Sequence, residues 1–222
     1  MPRRHPLALT AAAALVALCG AAPAVADPLP TTDGLSALRQ DTVTRADKAL
    51  NNPRKFKVAG SETIHKSTVR AAKNRNVLEL DGSNDNRVVF NDYNGNSWCG
   101  SFVAAMWTGH TMPDPSVYPR IPTNYESSQA WATDPKVRDL FHPYTGADQK
   151  LPKPGDVLVW KDDDSSWTGH VGLVVKVYPG TRKIVTVEGN VDGDEIAKKI
   201  YTWGAGGPAR AGKTFRGYTS RH

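Results

Sequence analysis

Aromatic side chains occupy only one part of the chain. All six tryptophans lie between Trp98 and Trp203, and every aromatic residue except Phe56 lies at or after Phe90. Large rings carry most of the burial energy of a core, so a single packed domain is expected over residues 85–222. Ahead of it, residues 27–84 read as a basic, helical N-terminal extension. Leu35, Leu38, Thr42, Ala46 and Leu50 recur near helical spacing, with Asp33 as N-cap and Asn51-Asn52-Pro53 as the stop, and a weaker helix is expected over 61–73. Between residues 48 and 75, Lys48, Arg54, Lys55, Lys57, Lys66, Arg70, Lys73 and Arg75 face Glu62 alone, a net charge of +7.

The apolar run Leu7 to Ala26 follows Arg3, Arg4 and His5 and ends in Ala24-Val25-Ala26. A basic start, an apolar middle and an A-x-A end make residues 1–26 a secretory signal peptide, so the mature chain is expected outside the cell. No later segment approaches the ~18 apolar residues of a membrane span. Loss of 1–26 takes Cys19 with it and leaves Cys99 without an intrachain partner in an oxidising exterior. Such a thiol is either buried and inert or reactive, and its surroundings decide.

Cys99 to Thr108 reads as a short buried helix stopped by Gly109, with Cys99 in its first turn. Residues 111–153, rich in proline, read as loop with one helix between Ser127 and Leu140. Strands follow at 156–160, 170–178 and 182–188, then at 196–203 and 215–218, and one helix before a run of antiparallel strands is an α+β arrangement. A hairpin turning at Pro179-Gly180-Thr181 with Tyr178 opposite Arg182 sets His170 opposite Asn190 and Gly172 opposite Glu188. His170, Glu188 and Asn190 then share one face, and Val171, Leu173, Val175 and Val177 lie on the other. A helix N-terminus and a neighbouring imidazole both favour the thiolate of Cys99, with Glu188 or Asn190 fixing the histidine tautomer.

The segments Trp98-Cys99-Gly100-Ser101-Phe102-Val103, Pro154-Gly155-Asp156-Val157, Gly169-His170-Val171-Gly172-Leu173-Val174 and Glu188-Gly189-Asn190 resemble, in order and spacing, the signatures of the CHAP domain, the cysteine, histidine-dependent amidohydrolases and peptidases. The resemblance runs over about residues 85–220. It implies a papain-like, NlpC-like α+β fold with the nucleophile on the N-terminus of a helix packed on an antiparallel sheet. It also implies Cys99 as nucleophile, His170 as base, Glu188 as orienter and Asn190 as a fourth polar member, with peptidoglycan as substrate, cut at the N-acetylmuramoyl-L-alanine bond or within a stem or cross-bridge peptide. The alternatives are a non-catalytic cell-wall-binding protein on the same fold and a toxin-like cysteine protease or amidase with a non-wall substrate.

No cofactor is expected. Asp81, Ser83, Asp85 and Asp92 are spaced like part of a calcium loop, but Asn86 replaces the required glycine and position 12 is not Glu, so a solvated turn is the preferred reading. Zinc finds no ligand set, with a single mature cysteine and no His pair at i, i+4. The basic 48–75 segment carries no nucleic-acid motif, which leaves anionic wall polymers as its expected partner. The protein is expected to be a monomer.

Overall fold

The computed structural model describes residues 35–51, 56–58, 76–79, 87–91, 97–110, 113–191 and 195–221. The segments 1–34, 52–55, 59–75, 80–86 and 92–96 lie outside the described residues, and with them the signal peptide, the helix expected over 61–73, most of the basic segment and the calcium-like aspartates.

Among the described residues the first element is helix α1 (Ala37–Asn51), followed by three short strands, β1 (Phe56–Val58), β2 (Asn76–Glu79) and β3 (Arg87–Asn91), which pair in that order as an antiparallel sheet. Two of those strands fall where residues 27–84 were expected to be helical. Phe56-Lys57-Val58 alternates apolar and polar residues, as a strand does, and Val77 with Val88 and Val89 supplies the β-branched residues that favour strands. Helix α2 (Cys99–Thr108), the single turn α3 (Ala130–Thr133) and a 3-10 turn (Arg138–Leu140) come next. Strands β4 (Phe141–Pro143), β5 (Val157–Asp162), β6 (Gly169–Tyr178), β7 (Lys183–Val191), β8 (Glu195–Gly204), β9 (Gly207–Pro208) and β10 (Lys213–Thr219) complete the chain. They form one antiparallel sheet in the order β4-β10-β5-β6-β7-β8-β9. The fold is α+β. The long helix expected between Ser127 and Leu140 is only two single turns, because Asp134 precedes Pro135 and takes the extended conformation (ψ 134°) that a pre-proline residue prefers.

The two faces of the sheet bury different clusters. On one, Val171, Leu173, Val175, Val185 and Val187 meet α2, whose Phe102, Val103, Ala105 and Met106 are fully buried, and α1 adds Val43, Ala46 and Ala49. The other face curls over Leu158, Trp160, Val174, Ile184, Trp203, Phe215 and Tyr218. The curl brings β9 against β10: a Cβ on Gly207 would lie 2.3 Å from the Phe215 ring. The buried stripe of α1 is Thr42, Val43, Ala46 and Ala49, and Leu38, expected to face inward, is half exposed.

The β6–β7 hairpin departs from expectation at its turn. Pro179–Thr181 is a 3-10 turn and Arg182 is left-handed (φ 51°), so Tyr178 pairs with Lys183 rather than Arg182. A bulge at Val175 then shifts the register by one, giving Val174↔Thr186 and Leu173↔Val187. Two one-residue changes cancel, and Gly172 meets Glu188 as the sequence reading required. The correction falls on Val177, which joins Val174 and Ile184 in the second cluster rather than Val171 and Leu173 in the first.

Candidate active site

Helix α2 is buried along nearly its whole length, so its ends need partners from elsewhere in the chain. At the C-terminus Gly109 takes the left-handed conformation (φ 78°) and returns its N–H to Ala105 O. Arg45 Nε donates to Met106 O at 2.6 Å and Arg221 Nη2 to Trp107 O at 2.7 Å, so positive charge meets the negative end of the helix. At the N-terminus Trp98 provides no side-chain cap. The Gly100 N–H of the first turn is directed at the thiol of Cys99, which is buried and free. Gly100 is obligatory there: a Cβ would lie 2.1 Å from Tyr125 O and 2.7 Å from Glu126 O, so the 125–126 backbone rests directly on this turn.

His170 enters from β6 and Glu188 from β7. His170 Nε2 lies 2.9 Å from Glu188 Oε2, both side chains being buried, and the imidazole hydrogen-bonds the Cys99 thiol. With Nε2 engaged by the carboxylate, Nδ1 is the nitrogen that serves the thiol. Glu188 accepts three more hydrogen bonds, from Thr186 Oγ1 (2.6 Å) and Tyr201 Oη (2.9 Å) on Oε1 and from Arg210 Nη1 (2.7 Å) on Oε2. Four donors saturate a carboxylate that has no solvent. Gly172 gives it room, since a Cβ there would stand 2.9 Å from Oε1.

The charges follow from this packing. Burial, the largest influence on Cys99, pushes the thiol up, but the hydrogen bond and charge of His170 and the backbone N–H groups of Val171 and Gly100 hold it below its ordinary value. Burial pushes His170 down, and Cys99 and then Glu188 outweigh it, so the imidazole is raised. Burial would raise Glu188, yet His170, Arg210 and Thr186 bring it down to about 2. The three groups favour a thiolate beside an imidazolium beside a carboxylate. That set can attack a carbonyl carbon and return a proton to a leaving nitrogen.

Of the four residues singled out from the sequence, the structure brings Cys99, His170 and Glu188 together. Asn190 sits two residues beyond Glu188 in a left-handed conformation (φ 58°), where β7 shifts register against β8. Among the described residues its side chain makes no hydrogen bond to His170. Thr186, Tyr201 and Arg210 were not anticipated. Thr186 was readable as the strand neighbour of Glu188 on the same face, whereas Arg210 arrives from the β9–β10 turn and has no local signal. Among the tryptophans near the site, Trp98 and Trp160 are fully buried and Trp167 is 75% exposed. Among the described residues no group of three His, Cys, Asp or Glu side chains could hold a metal ion.

A cleft of about 590 Å³ opens over Cys99, lined by Asn124, Glu126, Ser127 and Ser128 from one segment and Trp167, Thr168 and Gly169 from another. The segments are tied together beneath it. Gln129 Nε2 donates to Trp160 O at 2.8 Å, Arg216 Nη1 donates to Gln129 Oε1 at 3.0 Å, and a Cβ on Gly169 would strike both Trp160 O and Gln129 Nε2.

Compared with known families, residues 91–190 match the CHAP domain. The chain carries a CHAP domain. No curated protein and no solved structure matches it. CHAP domains are characteristically hydrolytic amidases and peptidases. The matched stretch runs from the end of β3 to Asn190, so it contains Cys99, His170 and Glu188. Helix α1, Tyr201 and Arg210 lie beyond it, although α1 packs on the CHAP core and the other two bind its buried carboxylate.

Proposed function

We propose that the protein is a secreted, cysteine-dependent peptidoglycan hydrolase that cleaves an amide bond, either the N-acetylmuramoyl-L-alanine link or a peptide bond of a stem or cross-bridge. The observation that carries this reading is the buried carboxylate–imidazole–thiol line from Glu188 through His170 to Cys99, which ends at the floor of an open cleft. The helix-on-sheet placement of Cys99 and His170 supports a papain-like arrangement.

In the proposed reaction the Cys99 thiolate attacks the amide carbonyl carbon. The oxygen gains negative charge near the N-terminus of α2, whose dipole favours it. His170, held by Glu188, gives its proton to the amide nitrogen, the C–N bond breaks, and the amine leaves behind a thioester on Cys99. Water then loses a proton to His170 and attacks the thioester, releasing the carboxylic acid and restoring the thiolate. Asn190 ranks behind Glu188 in this scheme, because Glu188 is the group hydrogen-bonded to the imidazole.

The test is to incubate purified sacculi of several wall types with the mature protein and identify released fragments by mass spectrometry. New amine and carboxyl ends at a single bond type are expected from wild type and absent from Cys99→Ala. Equal release by both proteins overturns the reading, as does no release from any wall. Tight sacculus binding with a thiol that resists alkylation would instead indicate a wall-binding protein.

A further inference from the structure

Glu126 is the only Asp, Glu, Lys, Arg or His side chain among the described residues lining the cleft. It is an isolated acid at the mouth of the site in a chain whose formal net charge is +6. Its backbone is fixed from two sides. The carbonyls of Tyr125 and Glu126 press on Gly100, one residue from the nucleophile, and Trp131 Nε1 donates to Tyr125 O at 2.9 Å. Its side chain, by contrast, is exposed, and among the described residues no cation pairs with it. Four other acids are ion-paired, Asp156 with Arg39, Asp139 with Arg120, Asp162 with Lys213 and Glu188 with Arg210. The same cleft presents the ring of Trp167, the most exposed tryptophan, whose π-face attracts cations.

The geometry points to Glu126 as a specificity-determining residue, and we infer that the cleft selects amide substrates carrying a free primary ammonium group close to the scissile bond. A carboxylate on a backbone packed against α2 has only its own side-chain rotamers to order when it meets that group. Apart from the Cys99–His170 pair, whose charges offset each other, no other charged side chain among the described residues lines the cleft, so the field of Glu126 is not cancelled locally. The hydroxyl and amide groups of Ser127, Ser128 and Asn124 can accept or donate hydrogen bonds but do not favour one sign of charge. Trp167 adds an aromatic surface for the carbon chain that bears the ammonium.

This inference rests on the hydrolase reading for its substrate class, so its first test reads the cleft through the thiol alone. Cys99 is modified with a cationic aminoethyl and an anionic sulfonatoethyl methanethiosulfonate, and the ratio of the two rates is measured in wild type and Glu126→Gln. The ratio should fall about three- to tenfold in Glu126→Gln at low salt, while the rate with neutral iodoacetamide stays within twofold. Raising the salt should shrink the difference, because the pair is exposed and screened. A ratio unchanged within a factor of 1.5 overturns the assignment. Its second test compares a soluble wall peptide bearing a free side-chain amine with its N-acetylated form. Glu126→Gln should raise KM for the amine about fivefold with little change in kcat, and leave the acetylated peptide unaffected. Equal effects on both peptides also overturn it. If neither peptide is cut by wild type, the hydrolase reading fails, whereas the reagent ratio still decides the role of Glu126.

Discussion

Glu188 is the residue on which the site turns, because a carboxylate with no solvent must find all its partners within the protein. Holding it at about 2 makes it a charge that His170 faces throughout the useful pH range. With the thiol lowered and the imidazole raised, the thiolate–imidazolium pair persists between those two values. Alkylation of Cys99 by iodoacetamide should therefore be appreciable well below the ~8.5 of a free thiol, and His170→Ala should move the profile upward. A wild-type thiol inert from pH 5 to 8 would contradict the pair. Hydrolysis should suffer more in Glu188→Gln, by about 10²-fold or more, than in Asn190→Ala; the reverse order in kcat/KM would transfer the orienting role to Asn190. The sequence made Cys99, His170 and Glu188 legible because each sits in a short motif whose glycines mark close approach. Arg210 was not legible, since its pairing exists only after β9 and β10 fold back over Trp160.

At the scale of elements, two glycines carry helix and sheet to their meeting point. A methyl on Gly189 would fall 2.5 Å from the Trp98 ring and 2.7 Å from Phe102 Cβ, both on or beside the first turn of α2. A methyl on Gly172 would instead press on the Glu188 carboxylate. Gly189→Ala should thus lower stability by about 1–3 kcal/mol, the usual range for overpacking, read as a shift in urea midpoint. Gly172→Ala should lower thiol reactivity at pH 6 by more than its stability loss accounts for, because Glu188 must turn from His170. Gly180 is the control, with open space around it and no positive φ, so Gly180→Ala should be neutral or slightly stabilising. The register of this hairpin could be read from alternation alone, yet the turn and the bulge could not. A 3-10 turn with a left-handed Arg182 adds one residue and the bulge at Val175 removes its effect, and neither leaves a trace in a two-residue period.

For the whole molecule, the question is what α1 contributes. The sequence drew the boundary of the packed domain at the first dense aromatics, and aromatic counting could not register a helix that contributes Val43, Ala46 and Ala49 to the same core. Arg39 reinforces the contact, donating through Nη1 to Asp156 Oδ1 and to Pro154 O, both at 2.7 Å. Asp156 also accepts the backbone N–H groups of Lys153 and Arg221, and burial still raises it, with Arg39 as the main opposing influence. Arg39→Ala should therefore cost toward the lower end of the ~3–5 kcal/mol found when a buried pair loses one member. A raised carboxyl binds its proton more tightly when folded, so the deficit should be greatest near neutral pH and shrink as acid protonates Asp156. A chain beginning at residue 52 should lose cooperative unfolding and thiol reactivity together, whereas one beginning at Leu35 should keep both in thermal melts and alkylation assays. The basic 48–75 segment is then best tested by charge rather than by truncation. Replacing Arg54, Lys55, Lys57, Lys66, Arg70, Lys73 and Arg75 with Gln should weaken sacculus binding at low salt and flatten its salt dependence, with melting temperature unchanged. If the substituted protein binds sacculi as tightly as wild type at every salt concentration, these charges serve only solubility.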